Sequence, residues 1–184
     1  MVRCSDPDVF EQKAGAFNVG FAEQSRMKIL MIDDEPLNLA LLEDMLSGSG
    51  YTRLKLISDS RQALEMCNSF TPDLILLDLM MPHLDGFGIL EALRTSARDI
   101  FLPVIVLTAD ANEETKRRAL RAGATDFLLK PFDETEVLLR IGNVLEIRRL
   151  HLQLEMQRAA FEEAVRSRTA ELREAHRQLE QAQV

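Results

Sequence analysis

The sequence predicts an α/β domain, a doubly wound parallel sheet with helices on both faces, followed by a long C-terminal α-helix of coiled-coil character. Three observations carry that prediction. Short apolar runs recur at starts separated by roughly 20–28 residues, the room that strand, loop, helix and loop need together. The runs are continuous rather than alternating, as a strand covered on both faces must be. The tail meets no helix breaker after Pro131 stronger than Gly142.

The elements follow in order. "KILMI" at 28–32 is the first strand, and "EPLNLALLEDMLSGSG" after it is a helix that places Leu37, Leu41, Leu42 and Met45 on one face and stops at glycines. "RLKLI" at 53–57 leads to the helix "SRQALEMCNSF", and "DLILL" at 73–77 to "GFGILEALRTS". "FLPVIVL" at 101–107 carries Pro103 near its start, where a missing N–H least disturbs a ladder. "NEETKRRALRAG" is the fourth helix, ending at Gly123, and "DFLL" at 126–129 is the fifth strand. Residues 1–26 have no sustained period and are expected to be a loose N-terminal extension.

The tail forms the third zone. From Val144 a heptad places Val144, His151, Arg158, Val165, Leu172 and Leu179 on one seam and Ile147, Leu154, Phe161, Arg168, Ala175 and Ala182 on the other. A helix from about residue 134 to 184 would be about 75 Å long, too long to bury its stripe on so small a domain. Pairing with a second copy, a homodimer through the C-terminal helix, is therefore expected. Seven arginines (148, 149, 158, 166, 168, 173, 177) balance seven glutamates (146, 155, 162, 163, 171, 174, 180) in this tail, so the net charge of −8 belongs to the rest of the chain.

That acidity argues against direct contact with nucleic acid. Cys4 and Cys67 have no metal-ligand spacing and read as free thiols of a reducing compartment. No apolar stretch approaches the roughly 18–20 residues that span a bilayer, and the N-terminus carries acids where a signal peptide needs an apolar core. The expected location is cytoplasmic, without a membrane partner.

In an open parallel sheet, ligands bind beyond the carboxyl ends of the strands. Asp33, Asp34 and Glu35 follow the first strand, Asp78 the third, Thr108 the fourth and Lys130 the fifth. Carboxylates converging in one crevice repel unless protonated or bridged by a cation. All-oxygen ligation points to a hard ion, Mg²⁺ fitting best. Lys130 would hold a phosphoryl oxygen as a point charge, Thr108 would donate a hydroxyl to another, and a carboxylate can itself be the nucleophile in phosphoryl transfer.

"MIDDEPLN", "LLDLMMPHLDGFG", "VIVLTAD" and "DFLLKPF" resemble the four landmark segments of the receiver domain of bacterial response regulators, over residues 27 to about 145. The resemblance implies a flavodoxin-like five-stranded sheet in the order 2-1-3-4-5. It implies that Asp78 accepts phosphate from a histidine kinase or phosphotransfer protein, catalysing only its own phosphorylation and dephosphorylation. It further implies Mg²⁺ held by Asp34, Asp78 and the backbone carbonyl of Met80, with Asp33 acting largely through water. Thr108 and Phe127 would form a switch pair, the Lys130–Pro131 bond would be cis, and Met80 and Asp110 would tune the lifetime of the phosphate. "RSRTAELREAHRQLEQAQ" resembles the coiled-coil linkers that precede HD-GYP or GGDEF output domains, and the heptad still runs at residue 184, so residues 146–184 are expected to be a linker cut before an output domain, with cyclic di-GMP turnover one such output.

Two other chemistries compete. An Mg²⁺-dependent aspartyl phosphatase would need a second acid/base carboxylate two residues beyond its nucleophile, where this chain has Met80, and a cap over its substrate where the 81–86 loop is short. A flavin mononucleotide carrier needs a Ser/Thr/Gly loop after the first strand, where "DDEPLN" would repel phosphate.

Overall fold

A computed structural model describes residues 25–95, 101–110 and 112–182. The expectation for residues 1–26 falls, apart from Ser25 and Arg26, outside those residues, and the side chains of Leu179 and Ala182 at the end of the two seams lie outside the description as well.

The elements run β1 (Lys28–Ile32), α1 (Pro36–Gly48), β2 (Arg53–Ile57), a 3₁₀ turn (Ser60–Gln62), α2 (Ala63–Phe70), β3 (Leu74–Asp78), α3 (Gly86–Thr95), β4 (Val104–Thr108), α4 (Glu113–Ala122), β5 (Asp126–Leu129) and α5 (Glu134–Ala182). All neighbouring strands pair in parallel, in the order β2-β1-β3-β4-β5. This is the flavodoxin-like arrangement that the sequence resemblance implies. The two central strands β3 and β4 are buried at every position. The edge strand β2 alternates and leaves Arg53 and Lys55 exposed, charges that discourage pairing with another chain.

Period two divides the strand residues between the faces. Leu30, Ile32, Ile75, Leu77, Val104 and Val106 form one core with Ala63, Ile89, Leu90 and Ala119, supplied by α2, α3 and α4. The alternate residues Ile29, Met31, Leu74, Leu76, Ile105 and Leu107 are equally buried, as are Leu39, Leu42 and Leu46 of α1 and Val137, Ile141, Val144 and Leu145 of α5. Each such side chain removed from water contributes about 1.5–3 kcal/mol.

Local chemistry sets the boundaries. Pro36 opens α1, where its missing N–H costs nothing. The Asn112 side chain accepts from the Glu114 N–H at 3.0 Å and caps α4. Gly123, at φ 108°, closes α4 in the left-handed region that a Cβ would disfavour.

Four details depart from the sequence reading. On α1 the buried residues are Leu39, Leu42 and Leu46, whereas Leu37 is 73% and Leu41 42% exposed. Five leucines in ten positions let more than one face look apolar, and packing on the sheet selects the other. Val144 is buried in the domain core and so leaves the coiled-coil seam. Asp78 is the last residue of β3, paired opposite Leu107, rather than the first beyond it. β4 begins after Pro103, whose carbonyl still accepts from Ile75 N–H.

The described residues divide into two compact units, one ending at Arg148 and one beginning at Arg149. The second consists of the remainder of α5. It exposes Leu154, Phe161, Val165 and Leu172. Its two seam arginines are neutralised on their own helix, Arg158 by Glu162 at 2.9 Å and Arg168 by Glu171 at 2.8 Å. Among the described residues, no helix is long and apolar enough to cross a membrane.

Candidate functional site

The order β2-β1-β3-β4-β5 means that the chain leaves β1 in one direction along the sheet and resumes at β3 in the other, opening a crevice at the carboxyl ends of β1 and β3. Asp33 continues β1 by one residue, its N–H donating to the Ile57 carbonyl at 3.2 Å. Asp78 closes β3. Thr108 closes β4, and the Lys130 N–H donates to the Thr108 carbonyl at 2.8 Å, which sets Lys130 beside it. Four consecutive strands of the sheet thus deliver two carboxylates, a hydroxyl and an ammonium to one edge.

Asp33 is fully buried and Asp78 is 4% exposed, whereas Asp34 is exposed. One oxygen from each of the three lies within 4.8 Å of the others. Lys130 Nζ bridges the buried pair, 2.7 Å from Asp33 Oδ2 and 3.0 Å from Asp78 Oδ2. Asp78 Oδ1 also accepts from Met80 N–H at 3.3 Å. Burial pushes the Asp78 carboxyl above the usual aspartate range, against the pull of Lys130, and the neighbouring Asp33 charge adds to the rise. Burial alone would lower the Lys130 ammonium, but its hydrogen bonds to Asp33 and Asp78 outweigh that and hold it above the ordinary lysine value.

One ammonium cannot neutralise three carboxylates. The donor set is all oxygen, close enough to share one small ion, and still carries surplus negative charge, so it fits Mg²⁺. An open cleft of roughly 450 Å³ lies over the cluster, between Asp34, Glu35, Asp78, Met80, Ala109 and Lys130. The Met80 side chain stands at its mouth, 76% exposed.

The remaining sequence-derived residues are less centred. Thr108 is buried, and its Oγ1 accepts from Asp110 N–H at 3.1 Å. The Asp110 carboxylate turns away from the cleft to the Asn112 N–H (2.8 Å) and the Thr115 hydroxyl (2.7 Å), and these bonds, the hydroxyl's first, hold it below the usual range. The half-buried Phe127 ring lies between two cations, Lys116 Nζ 4.8 Å and the Arg140 guanidinium 5.6 Å from its centroid. The Lys130–Pro131 peptide bond is cis.

Three supporting residues escaped the sequence reading. Asn38 donates to Asp33 Oδ1 and Oδ2 at 3.2 and 3.1 Å. Ser60 is buried and clamps the loop after β3, its hydroxyl donating to the Pro82 carbonyl at 2.9 Å and accepting from Leu84 N–H at 3.3 Å. Gly86 packs so closely that a Cβ there would stand 2.4 Å from the Asp78 carbonyl oxygen and 2.7 Å from Leu79 Cα. Only the glycine carried a local signal, ending the "HLDG" turn; the two polar residues act across the fold.

Comparison with known proteins matches residues 29–142 to the response regulator receiver domain. The chain is 39% identical over 118 residues to the alkaline phosphatase synthesis transcriptional regulatory protein PhoP of Bacillus subtilis, covering 64% of this chain and 48% of that protein. It resembles the solved receiver domain of the Francisella response regulator 1452 at 33% identity and TM-score 0.60, covering 67% of this chain and 99% of that one. It resembles NtrX from Brucella abortus at 30% identity and TM-score 0.65, covering 72% of this chain and 29% of that one. The chain spans about half the length of the curated relatives it matches.

Proposed function

We propose, from the premise that this chain belongs to the response regulator receiver domain family, that it is an Mg²⁺-dependent phosphoacceptor switch with Asp78 as the acceptor. The observation that carries the reading is the surplus of carboxylate, two buried and one exposed, around a single ammonium, with Asp78 lining the cleft. An Asp78 carboxylate oxygen attacks the phosphorus of a phosphohistidine on a histidine kinase or phosphotransfer protein. The P–N bond breaks, the imidazole departs with its electron pair, and an aspartyl phosphate remains. Lys130 lies within reach of a phosphoryl oxygen, and Thr108 presents its hydroxyl one strand away. Bound among Asp33, Asp34, Asp78 and the Met80 carbonyl, Mg²⁺ would neutralise phosphoryl charge. Thr108 and Phe127 then relay the new charge, the hydroxyl moving toward it and the ring turning inward.

On this reading residues 27–145 are the receiver and 146–184 a linker that pairs with its copy through the exposed Leu154, Phe161, Val165 and Leu172 stripe. The linker's likeness to those before HD-GYP and GGDEF domains favours an output in cyclic di-GMP turnover, although the PhoP relative is a transcriptional regulator. The module itself works in the cytoplasm, turns over no external substrate, and touches neither nucleic acid nor membrane.

The test is incubation with acetyl phosphate and Mg²⁺, followed by intact-mass measurement. The expected result is an added mass of about 80 daltons, absent from Asp78→Ala and absent without Mg²⁺. An unmodified wild type, or sustained turnover of p-nitrophenyl phosphate, overturns the reading, the latter in favour of a phosphatase.

A further inference from the structure

Asp33 is fully buried and charged, so its hydrogen-bond donors decide where its oxygens point. Oδ1 accepts from Glu35 N–H at 2.9 Å and from Asn38 Nδ2 at 3.2 Å. Oδ2 accepts from Lys130 Nζ at 2.7 Å and from Asn38 Nδ2 at 3.1 Å. Asn38 is thus the one donor among the described residues that reaches both oxygens.

Lys130 is already shared between Asp33 and Asp78. Once it turns to a phosphoryl oxygen, Asp33 Oδ2 keeps Asn38 alone. Asn38 is also placed as a residue spent on this contact. It sits in the first turn of α1, where asparagine is an indifferent helix former, and its amide is spent as a donor to carboxylates. Its remaining reach is to Glu35 Oε2 at 3.3 Å, on the rim of the same cleft.

We propose that Asn38 is a positioning residue for the divalent cation: its amide, reaching both oxygens, fixes the plane of the Asp33 carboxylate, so that the acidic cluster stays set to receive the ion before Lys130 turns away as well as after. This rests on the phosphoacceptor reading above. Asn38 carries no charge, touches neither phosphoryl group nor ion, and acts through Asp33. Because the ion can still bind when Asn38 is lost, only more weakly, the defect is one of metal affinity that high Mg²⁺ repairs.

The test titrates Mg²⁺ alone into the full chain by calorimetry, with Mn²⁺ electron paramagnetic resonance as a second measure, on wild type, Asn38→Ala and Asn38→Gln. Alanine suits a half-exposed helical position, so the variant keeps its fold, checked by its melting temperature in EDTA. The expected result is a dissociation constant weakened about tenfold in Asn38→Ala, the scale of a hydrogen bond to a charged group. Asn38→Gln, which keeps the amide, recovers most of the affinity, and at saturating Mg²⁺ the rate of phosphoryl uptake by Asn38→Ala returns to within about twofold of wild type. Equal affinities in wild type and Asn38→Ala overturn the inference, as does an Asn38→Gln variant as weak as alanine, and both leave the phosphoacceptor reading standing. A wild type that binds no Mg²⁺ removes that reading and the inference with it.

Discussion

The two ends of the sheet both bury charge, and they do so in opposite ways. At the amino ends of the strands, Asp73 accepts from Lys28 N–H at 2.9 Å and lies 3.8 Å from Arg148 Nε. Both basic side chains are tied to fixed oxygens as well: Lys28 Nζ to the Phe70 carbonyl and Thr71 hydroxyl, each at 2.9 Å, and the 4%-exposed Arg148 to the Phe101 carbonyl. At the carboxyl ends three carboxylates converge, and one ammonium bridges the two buried ones. At the first end each charge faces an opposite charge or a fixed oxygen. The second is left under-neutralised, with three carboxylates gathered about a single ammonium. Surplus charge, rather than burial of charge, separates a site that binds from a polar contact that only holds the fold.

The sharpest way to break that contrast is Arg148→Met. It should cost about 3 kcal/mol, since it leaves Asp73 and the Phe101 carbonyl without their buried partner, yet phosphoryl uptake on Asp78 should persist; urea titration and intact mass measure the two. The opposite end should behave in the opposite sense when Mg²⁺ is added. At about ten times its dissociation constant the cation should stabilise wild type by about 1.4 kcal/mol, and Arg148→Met by the same amount, read as a shift in the denaturation midpoint.

A smaller effect, of reversed sign, is expected for Asp78→Asn. Because the folded carboxyl titrates above its unfolded value, the native state binds the extra proton in the window between the two, and wild-type stability rises as pH falls through it. Asp78→Asn should therefore be more stable than wild type near neutral pH in the absence of Mg²⁺. That advantage should shrink on acidification through the raised value, as melting curves at stepped pH would record. The smallest effect belongs to Leu37→Gln, in the first turn of α1 at the carboxyl end but outside the charge cluster. Stability should stay within about 0.5 kcal/mol and phosphoryl uptake should be unchanged; a larger loss would mean that this end is fragile throughout.

Much of this was legible from residue order. Apolar runs located all five strands to within a few residues: the interior ones are continuous because a strand covered on both faces cannot hide its composition, and the edge strand β2 alternates instead. The polar residues at their ends located Asp33, Asp34, Asp78, Thr108 and Lys130, because period and topology together bring strand termini to one edge. What failed had a common cause, in that several placements satisfied the local pattern and the tertiary fold chose among them. The leucines of α1 offered competing faces. Val144 fitted a heptad but was claimed by the core. Arg148 counted only as one of seven arginines balancing seven glutamates in the tail, although it is among the most buried charges of the described residues. Asn38 and Ser60 carry contacts to residues set by folding, which no spacing rule encodes.

The tight approach at Gly86 bears on how this loop can change over time. The atoms that a Cβ would strike are the main-chain oxygen of Asp78 and the Cα of Leu79, not the tip of a side chain. A crowded side chain can be relieved by shrinking its neighbour, but a crowded backbone offers no neighbour to shrink. Libraries selected to restore a Gly86→Ala strain should therefore yield reversion to glycine and few second-site suppressors, making this position a one-way door in the protein's mutational landscape.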